Sequence, residues 1–142
     1  MIASSDVLDA IRAHGEAGYP EEICGFLLGT VRDGSNVVSA IERVDNEQAT
    51  DRERRYLIPP DAFRAAQRTA AERDLNIVGI YHSHPDHPAQ PSETDLQQAT
   101  FSGYTYAIVS VARGTARDLT AWQLAPDRSR FTEEPIRTDA ST

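Results

Sequence analysis

The residue types best suited to chemistry lie in two short stretches, Tyr81-His82-Ser83-His84-Pro85 and Ser92-Glu93-Thr94-Asp95. His82 and His84 stand at i and i+2, directly after an apolar run. Side chains alternate along a strand, so two imidazoles at that spacing off a strand end project to one side and can share one ion. Asp95 follows a proline-rich loop that can fold it back against them. Two imidazoles and a carboxylate make three protein ligands, which leaves the fourth tetrahedral position of a zinc ion for water, the arrangement of catalytic zinc. Zinc lowers the pKa of its water to about 7. Plainer readings stand beside this one. A His-x-His pair also occurs with no metal, and Ser92 with Asp95 reads as a helix N-terminus, Ser92 as N-cap and the acidic residues favoured by the helix dipole. That cap would itself fix Asp95 by backbone geometry. His87 reads as a loop residue beside the site, with direct ligation the alternative, and His14 as a surface histidine. A water nucleophile also needs a base. Glu21 and Glu22 precede another apolar run, where on residue types alone either is a surface charge.

The elements that must position these groups alternate. Ser4 or Ser5 caps a first helix with Val7, Leu8 and Ile11 on one face and Gly15 and Gly18 as stops. The apolar run 23–29 reads as a buried strand, and an Asp33-Gly34 turn pairs it with a strand over 37–44. A short strand is expected over 55–58, then Pro59-Pro60, then an Ala-rich helix over 61–75 with Phe63, Ala66 and Ala70 on one stripe. Residues 76–81 form a strand, 82–91 a loop, and 92–98 a helix. Strands over 104–112 and 119–124 follow, with a last edge strand over 131–136. This pattern predicts an α/β fold: one domain, a mixed β-sheet flanked by helices, over residues 1–136, with residues 137–142 a frayed polar tail.

Bulk properties bound the answer. The 142 residues fit one domain; 39% are hydrophobic and 25% charged, a globular balance. The formal net charge of −8 disfavours nucleic acid and anionic membrane as partners. No apolar run approaches the ~20 residues that span a bilayer, and nothing resembles a signal peptide, so the expected location is cytoplasmic. The single cysteine, Cys24, cannot form an internal disulfide and is expected to be a buried small hydrophobe.

His82-Ser83-His84-Pro85, the spacing to Ser92-x-x-Asp95, and the upstream run Glu22-Ile23-Cys24-Gly25-Phe26-Leu27-Leu28-Gly29 together resemble the JAMM signature of the MPN-domain zinc metalloproteases, compact bacterial and archaeal members above all. The resemblance runs from about residue 3 to residue 125. It implies a cytidine deaminase-like MPN/JAMM fold, and one Zn2+ held by His82, His84 and Asp95. It implies Glu22 as general base and then general acid, with no such role for Glu21, and Ser92 as hydrogen-bond donor to the oxyanion of the tetrahedral intermediate. No acyl-enzyme would form, so Cys24 is not needed as a nucleophile.

The same resemblance implies a peptidase that hydrolyses the amide bond after the C-terminal Gly-Gly of a ubiquitin-like protein of the sulfur-carrier type. An isopeptidase acting on lysine-linked modifiers is the alternative. A non-catalytic MPN scaffold is a third reading, which stoichiometric metal would argue against. A nucleoside deaminase needs a Cys-x-x-Cys half-site, which one cysteine excludes.

Overall fold

The structure is a computed structural model and describes residues 1–53 and 55–138. Ten elements follow in order: β1 (Ile2–Ala3), α1 (Ser5–Gly18), β2 (Cys24–Arg32), β3 (Ser35–Val44), α2 (Pro60–Glu72), β4 (Asn76–Pro85), α3 (Glu93–Gln98), β5 (Thr105–Ala112), β6 (Thr115–Leu124) and β7 (Phe131–Glu134). The strands form one seven-stranded sheet in the order β1-β3-β2-β4-β5-β6-β7. The β1–β3 and β4–β5 pairs are parallel and the rest antiparallel. This is the expected mixed sheet.

The sheet is covered on both faces. Val7, Leu8 and Ile11 of α1 pack against Leu27, Tyr81, Ala107 and Val109 on one face. Ala66 and Ala70 of α2 pack against Phe26, Leu28, Ile80 and Tyr106 on the other. The central strands are therefore buried on both faces, which is why they read as near-continuous apolar runs rather than as alternation. Truncating a residue as enclosed as Leu27, fully withdrawn from solvent, would cost about 2–5 kcal/mol.

Local chemistry accounts for the element ends. The Ser4 side chain accepts from the Val7 N–H and starts α1. Asp33 and Gly34 both have positive φ, as a two-residue I′ hairpin requires. Arg113 and Gly114 do the same between β5 and β6, so β6 starts at Thr115 rather than at 119.

Four other expectations are corrected. Gly15 does not stop α1. A Cβ there would lie 3.1 Å from Val111 and 3.2 Å from Val109, so its lack of a side chain lets the helix press on β5. The strand of residues 76–81 continues to Pro85, because β5 pairs with it all the way, Pro85 against Val111. Residues 55–58 join no ladder; the main-chain groups of Arg55 and Leu57 bond to the Asn46 side chain instead. The end of the chain is not simply frayed: Arg137 accepts from Ala3 N–H and donates to Met1 O, beside a short β1 that the residue pattern does not announce. Residues 139–142 of the expected tail lie outside the described residues. Among those described, no helix is long and apolar enough to cross a membrane.

Candidate metal centre

The site forms where β2 and β4 run side by side and the chain crosses from β4 to its parallel neighbour β5. Cys24 pairs with His82 across β2 and β4. Continuing that antiparallel register places Glu22 opposite His84. Ser83, between the histidines, points the other way. Its Oγ accepts from Ile23 N–H at 2.9 Å, and its own N–H donates to Ile23 O at 3.1 Å. That double clasp fixes the residue next to Glu22. The crossover must travel from one end of β5 to the other, and α3 on that path returns Asp95 to the histidines.

The loop before α3 is tied down. Asp86, in the left-handed region, accepts from Tyr19 Oη and from Arg113 N–H. Ala89 O accepts from the Thr120 hydroxyl at 2.7 Å. Ser92 then caps α3: its Oγ accepts from Asp95 N–H at 3.0 Å, and Asp95 Oδ2 accepts from Ser92 N–H at 2.9 Å. The reciprocal pair is a capping box. The plain reading of Ser92 and Asp95 thus holds, and the cap delivers the carboxylate.

Asp95 Oδ2 lies 3.2 Å from His82 Nε2 and 3.0 Å from His84 Nε2, and the two Nε2 atoms are 3.1 Å apart. Both imidazoles are buried. Pro88 O can only accept, so His84 Nδ1, 2.8 Å away, carries that ring's proton. The Nε2 of the neutral ring then faces Asp95 with a lone pair. Three such atoms so close need a proton or a metal cation among them. Tetrahedral zinc with ~2.05 Å bonds sets its ligand atoms about 3.3 Å apart, near the observed spacing. The Ser92 N–H donates to Asp95 Oδ2 and favours the ionised carboxylate that a metal needs. The donor set therefore fits a divalent metal, and His82, His84 and Asp95 form a candidate metal site.

Glu22 is 2% exposed, and its Oε1 has no hydrogen-bond partner. Burial pushes its pKa up to about 8; the Asp95 and Asp51 charges add to this, and His84 opposes it. An orphaned buried carboxylate oxygen is a costly feature and suits a group that handles a proton. Glu21, by contrast, is exposed. Cys24 is buried, with burial raising its thiol pKa to about 12, which suits an inert packing residue. His87 is not among the converging atoms. It stacks on His84 with centroids 4.1 Å apart and donates from Nδ1 to Pro85 O. His14 is only partly exposed, and its Nδ1 is hydrogen-bonded to Tyr81 Oη at 2.8 Å.

Residue types alone gave no signal for Tyr56 or Asn46. The Tyr56 ring stacks on His82, centroids 4.7 Å apart, and Asn46 donates to Glu22 O. Two cavities flank the centre. One, of about 390 Å³, is largely apolar and is lined by Tyr56, Leu57, Ile58, Phe63 and Phe101 among others. The other, of about 530 Å³, is polar and includes Glu53, Asp86, His87, Ser92 and Thr94.

Known proteins resemble the chain along most of its length. A desampylase from Haloferax volcanii is 34% identical over 122 residues, 82% of this chain and 86% of that protein. A CysO-cysteine peptidase from Mycobacterium tuberculosis is 27% identical over 136 residues, 96% of this chain and 89% of that protein. The solution structure of a Salinibacter ruber protein is 55% identical, covers 99% of this chain and 92% of that one, and superposes with a TM-score of 0.80. The family model described as prokaryotic homologs of the JAB domain matches residues 4–125, and the chain belongs to that family, as a compact hydrolase of the JAMM/MPN type.

Proposed function

We propose that the protein is a zinc peptidase that hydrolyses the amide bond after the C-terminal Gly-Gly of a ubiquitin-like protein of the sulfur-carrier type. The observation that carries the reading is Glu22, a buried carboxylate with an unpartnered oxygen, held across β2 and β4 from His84 beside a three-donor metal set. Zinc bound by His82, His84 and Asp95 supplies a Lewis acid and a water acidic enough to attack near neutral pH. Glu22 takes the proton of the attacking water and returns it to the leaving amine. Its burial beside the donor set suits a group that takes a proton and gives it back. Ser92 Oγ accepts from Asp95 N–H, so its own hydroxyl proton is free to stabilise the developing oxyanion. His87 packs against His84 and limits that ring's freedom.

The substrate class rests on the two named relatives, a desampylase and a CysO-cysteine peptidase, and on the shape beside the centre. Tyr56, Leu57 and Ile58 border the apolar cavity and lie in no ladder. A chain tail can lie along them by strand addition, its apolar side chains in the cavity and its glycines in the narrow approach to His82. The polar cavity on the Ser92 side takes the leaving group. Glu53 and Asp86 line it, and these carboxylates favour a second substrate form, a lysine-linked conjugate.

The test is incubation of the zinc-loaded protein with a carrier bearing a residue after Gly-Gly, and separately with a lysine-linked conjugate, followed by mass. Release at the Gly-Gly bond by wild type and its loss in Glu22→Ala is the expected result. No release from either substrate, or equal release by Glu22→Ala, would refute the reading.

A further inference from the structure

Residues 45–53 and 55–58, between β3 and α2, touch both halves of the candidate centre. Arg52 O accepts from Glu22 N–H at 2.7 Å, and Tyr56 stacks on His82. Asn46 binds this segment together. Its Nδ2 donates to Glu22 O at 3.0 Å and to Arg55 O at 2.9 Å, while its Oδ1 accepts from Gln48 N–H at 3.0 Å and Leu57 N–H at 3.1 Å. Glu47 N–H adds a bond to Leu57 O at 3.1 Å. A side-chain amide has two donor protons and two acceptor lone pairs, and all four are used here. Asn46 thereby ties the main chain at Glu22 to residues 55–57. The N–H and the carbonyl of Leu57 both face residues 46 and 47, as along a strand, where main-chain groups of successive residues alternate in direction. Those of Arg55 and Leu57 face Asn46, so those of Tyr56 and Ile58 face away from it.

We propose that Asn46 is a positioning residue that couples a seated substrate tail to the general base. This rests on the peptidase reading above. A tail paired with the Tyr56–Ile58 side holds this segment in place. Through Asn46 it also holds the Glu22 main chain in register with His84. Remote binding is then spent on placing the base, and so raises kcat rather than only lowering KM.

The test compares zinc-loaded wild type, Asn46→Ala and Asn46→Asp on two peptides. One is a blocked Gly-Gly followed by a single amino acid; the other adds four carrier-like residues before Gly-Gly. Asn46→Asp keeps the shape and both accepted bonds but loses both donations, including the one to Glu22 O. In wild type the longer peptide should have the higher kcat. Both variants should lose kcat on the longer peptide by about 10²-fold and on the shorter one by no more than roughly threefold. Zinc content, measured alongside, should match wild type, while the thermal midpoint should fall in both variants, which lose hydrogen bonds to the segment. An equal loss on both peptides marks a purely structural role and overturns the coupling. So does a rise in KM at unchanged kcat, or an Asn46→Asp variant equal to wild type. No turnover of either peptide by wild type overturns the peptidase reading and the coupling with it.

Discussion

Glu22 and His14 are both titratable groups removed from water, and they ask different things of the chain. Glu22 lacks a partner for one oxygen and bonds to none of the three metal-facing atoms, so its charge can be removed without dismantling the donor set. Glu22→Gln should retain stoichiometric zinc and lose about 10²–10⁴-fold in turnover, with metal analysis and single-turnover kinetics as the paired measurements. His82→Ala, in contrast, should lose the metal. Burial, helped by Arg43 and opposed by Asp45, lowers the His14 pKa from 6.5 to about 4. The unfolded chain therefore binds that proton first as the medium acidifies. The stability contributed by neutral His14 is whole above pH 6.5 and is lost as pH falls toward 4. His14→Gln, which can keep a bond to Tyr81, should lose less thermal midpoint than wild type across that window; parallel curves would refute the assignment. The residue pattern reads His14 as surface because nothing local shows that Tyr81, far along the chain, comes to meet it.

α3 is short, and the proposed function gives its N-terminus a second duty beside the cap, that of oxyanion donor. Glycine at an N-cap costs only a few tenths of a kcal/mol relative to serine, whereas alanine costs about 1. Ser92→Gly should therefore leave the thermal midpoint almost unchanged yet slow turnover about 10²-fold or more. Equal turnover by this variant would reduce Ser92 to a cap. At this scale the sequence was legible wherever local chemistry decides. The Asp33-Gly34 hairpin, the capping box and the apolar runs of β2, β4 and β5 all stand where their residues place them. It was not legible where a distant partner decides. His82 and His84 read as loop because Pro85 and the prolines after it look like an exit. β5 holds those residues in the sheet through Pro85–Val111 pairing. Likewise Tyr56 and its neighbours read as a strand from β-branched and aromatic content, but the edge they meet is the amide of Asn46, which no periodicity reveals.

Across the whole molecule, three layers clamp a centre whose donors come from β4 and from the crossover that follows it. An ion that binds only the folded form adds RT ln(1 + [L]/Kd), about 4 kcal/mol at a thousandfold excess over Kd. Stripping zinc with a chelator should thus lower the thermal midpoint and raise hydrogen exchange most in residues 86–104, with α1 and β3 little affected. A uniform rise in exchange would mean the metal supports the entire fold. The three-layer plan was open to reading, since strands and helices alternate and the central runs are apolar on both faces. The closure of β1 and Arg137 onto each other was not, being a contact between chain ends with no local mark.

The three candidate metal donors fall within the single stretch from His82 to Asp95, while the proposed base, Glu22, stands alone before β2, clasped there by Ser83 and Asn46. Mutation can therefore reach the two functions separately. A gene duplicate that lost Glu22 would still fold, still hold its ion and still present the same grooves to a tail. Such a copy is one codon away from becoming a captor of the proteins its sibling cuts, and one codon away from returning.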